Sequence, residues 1–193
     1  GAYGTIGSKT LTFTASGLTA ASQVFTLTHG AAYQLSVSAP STATNDVAFG
    51  TQPVVTIQDQ DANTVTTGAQ SIQTVALTSA DATIGGTTSM AAVAGVANFS
   101  GKGVKLTGLV GPRGITATIT NPSTIAASAT VNLTFGAATK LVVTTPAVGF
   151  VNRSAFATQP VVQVQDVSGN LVANAAISIQ VTASAGNGAT LGG

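Results

Sequence analysis

Apolar and polar residues alternate along most of this chain with a period of two, the pattern of half-buried β-strands. Residues 9–15 (Lys-Thr-Leu-Thr-Phe-Thr-Ala) and 23–28 (Gln-Val-Phe-Thr-Leu-Thr) form one such pair, with Gly17 marking a turn between them. Further strands are predicted at 33–38, ended by Pro40, and at 53–58. Pro53 takes the first position of the latter, where a missing N–H is tolerated. Asp, Ala and Asn at 59–63 predict a turn, followed by strands at 71–77, 81–84 and 95–99. Two more lie near 114–120 and 129–135. No window of eleven residues carries a helical period. Seven short strands at close spacing between 31 and 136 predict a β-sandwich.

The pattern repeats. The letters F-x-T-Q-P-V-V-x-[IV]-Q-D-x-x-x-N-x-V occur at 49–65 and again at 156–172, so that Phe156 follows Phe49 by 107 positions. Ala20/Ala126, Ser22/Ser128, Leu27/Leu133, Gly30/Gly136, Leu35/Leu141 and Pro40/Pro146 match at a spacing of 106. Residues 190–193 (Thr-Leu-Gly-Gly) match 83–86 (Thr-Ile-Gly-Gly) at 107. Tandem units of about 106–107 residues follow, a size that buries its own core. On this register 1–30 is the last two strands of a preceding repeat, 31–136 a complete repeat, and 137–193 the first half of a following one. The two partial units are expected to be completed either between neighbouring chains, head to tail, or by a longer polypeptide from which this one is a piece.

Composition narrows the function classes. Only 6% of residues are charged, the net charge is +1, and all five acids are Asp. There is no basic patch to meet nucleic acid. Mean hydropathy is +0.44, yet no apolar run reaches the 18 or so residues of a membrane helix. Cys is absent, and no leader or initial Met is present, which fits a mature or excised piece of an exported surface protein. So few charges suit an assembled or packed context better than a free soluble monomer.

The D-x-S-G-N-x-V letters at 166–172, the G-V-A-N-F run at 95–99 and the Gly-rich stretches at 108–114 and 186–193 resemble bacterial immunoglobulin-like repeats, the Big-1-like type of invasins and other large adhesins. The resemblance covers essentially the whole chain and lies in turn and core positions, so it speaks to fold more than to function. It implies an all-β chain of tandem immunoglobulin-like β-sandwiches. It also implies an extracellular, cell-surface location and a role as stalk or adhesive module. Asp61-Ala62 stands where the pattern has x-Gly before Asn.

Candidate chemistry is sparse. Asp59, Asp61 and Asn63 have the alternating oxygen spacing of a calcium loop, without the later Glu that would complete one, and calcium is the one cofactor the residues suggest. The same residues form turns unaided, which is the favoured reading. His29, the only His, has no nearby Cys or Asp and reads as a linker residue at the junction of two units. No nucleophile–base pair or paired carboxylates stand out, so no catalytic residue is assigned and the chain is expected not to be an enzyme. Asn98, Asn132 and Asn152 head N-glycosylation sequons, and rows such as Thr116, Thr118 and Thr120 read as solvated strand faces. The expected partners are neighbouring repeats or further copies of the same protein. The alternative is a surface module that binds carbohydrate or a receptor. Against it stands the expectation that the Phe and Tyr residues mostly point inward.

Overall fold

A computed structural model describes residues 1–121, 123–173 and 175–182; the 190–193 match to 83–86 lies outside them. The described residues are all-β, with one 3-10 turn at Ala69–Ile72 and no α-helix. The chain divides into two compact units, residues 1–134 and 135–193.

In the first unit the two longest strands show why the sequence folds as it does. β11 (Gly111–Ile119) and β12 (Ile125–Thr134) pair antiparallel along nine positions. Ile115, Ala117, Ile119 and Val131 are fully buried, with Thr116, Thr118 and Thr130 between them on the other face. Thr116 Oγ1 and Ser128 Oγ lie 2.9 Å apart across the strands, a hydroxyl pair on a face where Thr116 and Thr118 are half-buried and Thr120 is exposed. The five-stranded sheet runs β4 (Thr42–Thr44), β12, β11, β6 (Thr74–Thr78), β8 (Ser89–Ala91), with only the β4–β12 pair parallel. A three-stranded antiparallel sheet of β3 (Gln34–Ser38), β5 (Val54–Gln58) and β9 (Val96–Asn98) contributes Leu35, Val55, Ile57 and Ala97 to the same core. β7 (Thr83–Gly85) and β10 (Lys105–Thr107) form a small third sheet carrying the buried Leu106. Sheets sharing one core in this way are compatible with a β-sandwich.

The seven strands expected between 31 and 136 are ten, because β4, β8 and β10 have three residues each, too few to display an alternation. The strand expected at 71–77 starts at Thr74. Ser71 instead bonds Gly68 O through its own N–H (3.1 Å) and its hydroxyl (2.8 Å), closing the 3-10 turn.

The repeated letters have separate structural tasks. Phe49 and Val65 are core residues. Gln52 Nε2 donates to Phe49 O (2.7 Å) and Val104 O (3.2 Å), and its Oε1 accepts from Val104 N–H (2.7 Å), a bracket across two loops. Pro53 lies just before β5, and its carbonyl accepts from Phe99 N–H at 3.0 Å.

β1 (Gly7–Phe13) and β2 (Ala21–Leu27) form a two-stranded sheet of their own within the first unit, paired from Gly7↔Leu27 to Phe13↔Ala21. Leu11, Phe13 and Val24 on this hairpin are about half exposed or more. In the second unit β13 (Lys140–Thr145) pairs antiparallel with β14 (Val161–Gln165), and Leu141, Val143 and Val161 are similarly exposed.

The aromatics depart from the inward expectation. Phe49 and Phe99 are buried, but Tyr3, Phe13, Tyr33, Phe135 and Phe150 are exposed. Four of these five lie outside the regular strands, where alternation does not govern direction.

Candidate functional site

The turn that follows β5 is built around one carboxylate. Asp59 is 5% exposed. Its Oδ1 accepts from the N–H groups of Asp61 (3.0 Å) and Asn63 (2.9 Å), and its Oδ2 accepts from Gly30 N–H (2.8 Å). Asn63 Nδ2 lies 3.1 Å from each oxygen. Asp59 N–H donates to Asn63 O at 2.9 Å, closing the turn through Ala62, whose φ of +63° is left-handed. The second unit has the same wiring. Asp166, fully buried, accepts at Oδ1 from Ser168 N–H (3.0 Å) and Asn170 N–H (2.9 Å), and at Oδ2 from Gly136 N–H (2.9 Å) and Asn170 Nδ2 (2.9 Å). Gly169, φ +88°, takes the place of Ala62. The absence of Gly from the first copy therefore changes strain and leaves the turn intact.

Burial pushes the Asp59 carboxyl up, but the N–H donors of Gly30, Asn63 and Asp61 outweigh it and hold it below the ordinary value. Donors that stabilise the anion leave it a poor base at neutral pH. Asp46 is lowered by hydrogen bonds from Lys105 (2.6 Å) and Thr107, and Asp81 by the Gly114 N–H and the Ser79 hydroxyl.

Around the Asp59 turn a second set of contacts reaches the β1–β2 hairpin. Gly4 N–H donates to Asp61 Oδ2 (3.0 Å), Ile6 N–H donates to Asn63 Oδ1 (3.1 Å), and Asn63 Nδ2 donates to Gly4 O (3.0 Å). The segment leaving the hairpin is also held. Thr67 N–H donates to His29 Nε2 (3.2 Å), with Thr67 Oγ1 2.9 Å from the same nitrogen. That leaves Nδ1 to carry the proton and donate to Gly30 O, 2.9 Å away. Ala32 N–H donates to Gln70 Oε1 (2.7 Å), and Tyr33 N–H to Gln58 O (2.8 Å). His29 thus lies in the segment between β2 and β3 and fastens it to Thr67. Thr67 and Gln70 carried no signal in the sequence, since single polar residues in a loop have no pattern.

The calcium candidates Asp59, Asp61 and Asn63 are brought together, but Asp59 Oδ1 and Oδ2, Asp61 Oδ2 and Asn63 Oδ1 all face N–H donors. A cation seated on these atoms would have to displace the amides of Gly4, Ile6 and Gly30. Among the described residues no three His, Cys, Asp or Glu side chains gather as a metal-holding group.

Beside the turn lies an open cleft of about 340 Å³, lined by Tyr3, Leu27, Tyr33, Asp59, Gln60 and Asp61 among others. Tyr3 is 88% and Tyr33 61% exposed. Of the sequon residues, Asn98 is engaged with Ser100 N–H (2.9 Å) and Asn132 is exposed but strand-bound, whereas Asn152 lies in an exposed turn. Among known proteins, the chain matches no family model, no curated protein and no solved structure.

Proposed function

We propose that this chain is a non-enzymatic stretch of tandem immunoglobulin-like repeats from a large extracellular fibre, sheath or adhesin, serving as spacer and support. The observation that carries the reading is the twin carboxylate turn: Asp59 bonds Gly30 and Asp166 bonds Gly136 with the same donors in the same order. A turn duplicated down to single hydrogen bonds favours one supersecondary plan used twice. Low charge and Thr-covered faces suit a chain packed among copies of itself. The exposed apolar residues of the β1–β2 hairpin and of β13–β14 are of core type, which supports completion of part-units by neighbouring repeats, in the same chain or head to tail in another. Antibodies raised to residues 31–136 should label the outside of intact source cells, with the antigen released by surface proteolysis. Antigen found only in the cytosol would refute the placement.

A second reading is favoured by one observation, the cleft bearing Tyr3 and Tyr33 beside Gln60 and Asp61. Exposed aromatic rings next to polar groups suit sugar stacking, so a surface carbohydrate-binding module is the alternative. A glycan array on which the protein binds and Tyr33→Ala does not would support it; no binding by either protein would end it.

A further inference from the structure

We propose that the 59–63 loop, together with Thr67, is a docking surface for the preceding repeat's tail hairpin, held mainly by its main chain, and that this metal-free joint sets the angle between consecutive repeats. The inference rests on reading 1–30 as that tail. Its evidence is how the hairpin is held. Leu11, Phe13 and Val24 are 49–65% exposed, so apolar packing does little to orient β1 and β2. A two-stranded hairpin is marginal alone, and something must fix it.

Two polar attachments do so, at separated points of the segment. The entry loop is gripped by Asp61 and Asn63, through Gly4 N–H, Gly4 O and Ile6 N–H. The exit is gripped by Asp59 on Gly30 N–H and by His29, which ties Gly30 O to Thr67. One attachment would leave a swivel; two define a direction. All the hairpin's partners in these bonds except His29 are backbone groups, so the surface selects a chain path rather than side chains. That path needs glycine: Gly4 has φ +111° and Gly7 φ +123°. The sandwich carries the same G-x-[IV]-G letters at 108–111, leading into β11 as 4–7 leads into β1, with Gly111 at φ +109°. The recognised element is therefore a Gly-x-aliphatic-Gly segment at the start of a repeat's penultimate strand. Asp61 itself is exposed, and among the described residues its Oδ2 bonds Gly4 N–H alone, so its task lies in the joint.

Amide hydrogen exchange by NMR on the 1–193 chain tests this. In the wild type Gly4 and Ile6 should be protected, with EDTA or added calcium chloride changing neither. Asp61→Ala should speed exchange at Gly4 on the order of tenfold while Gly30 and the core amides stay as they were. Asp61→Asn, which retains an acceptor oxygen, should keep most of the protection. Residual dipolar couplings from β1 and β2 should shrink relative to those of β11 and β12 in Asp61→Ala only. Free-peptide exchange at Gly4 in the wild type, unchanged exchange in Asp61→Ala, or protection that appears only with calcium would each overturn the joint. A cytosolic location, in contrast, would refute the surface reading and leave these results standing.

Discussion

Replacing Asp59 by Ala removes one small side chain and strands several donors at once. Gly30, Asp61 and Asn63 lose the acceptor of their N–H groups, and Asn63 Nδ2 loses both contacts to Asp59. A hydrogen bond to a charged group contributes about 1.5–3 kcal/mol, and an unsatisfied buried donor costs a similar amount. Gly30 and Asp61 are exposed enough for water to replace the carboxylate, whereas Asn63 is half-buried. The losses therefore do not add in full, and the expected cost is about 3 kcal/mol. Against a domain stability of about 5–15 kcal/mol this is large, and it corresponds to a fall of about 10 °C in Tm. Asp59→Asn should fall between Ala and wild type, because an amide can accept on one side but offers N–H to the other. Urea unfolding followed by circular dichroism, with an unchanged m-value, gives the difference directly. If Asp59→Ala unfolded within about 0.5 kcal/mol of wild type, the turn would owe its form to the chain path alone, and the carboxylate argument would fail.

Other outcomes follow from the same geometry. Ala62→Gly should stabilise by about 0.5–1 kcal/mol, since left-handed strain of about 1–2 kcal/mol is relieved against a smaller gain in unfolded entropy; a thermal melt that does not rise contradicts this. Gly95→Ala should destabilise severely, because at φ +81° a Cβ would lie 2.4 Å from Val65 O; refolded yield and melting temperature report it. Phe99→Ala empties a fully buried site and should cost about 3–5 kcal/mol in urea titration. For pH, Asp46, Asp59 and Asp81 all have folded values below the ordinary one. The unfolded chain therefore binds protons first, and the stability these groups contribute is full above about pH 4 and lost as pH falls through their folded values. Urea midpoints should be level from neutral to about pH 5 and drop below about pH 4; a decline beginning near pH 6 would point to another group.

Much of the fold was legible because the informative quantity was periodicity. β11 and β12 show five or more alternations, enough for Ile115, Ala117, Ile119, Val131 and Leu133 to declare their face. Three of the three-residue strands, β4, β8 and β10, were not legible, since their positions come from partners such as Asn132 opposite Thr42 rather than from their own letters. The exposed tyrosines were misplaced for a related reason: Tyr3 and Tyr33 lie outside the strands, where no alternation sets a direction. The D-x-D-x-N spacing was readable as oxygen placed on one side of a turn. Whether those oxygens face a cation or amides depends on residues 29 to 57 positions away, Gly30, Gly4 and Ile6, which no local spacing encodes.

That long-range dependence explains how so few charges are distributed. Of the five Asp residues, Asp46 pairs with the Lys105 ammonium. Asp59, Asp61, Asp81 and Asp166 accept from backbone N–H groups at Gly30, Gly4, Gly114 and Gly136. Each acceptor meets a glycine amide, where no side chain shields the donor and the main chain can come close. A carboxylate used this way does not depend on a mobile partner side chain, and its bonds are less screened by salt than an exposed ion pair. Such acids fix where one segment crosses another. With so few charges in the chain, they sit at crossing points, and two of the four, Asp59 and Asp61, hold the segment that carries the β1–β2 hairpin.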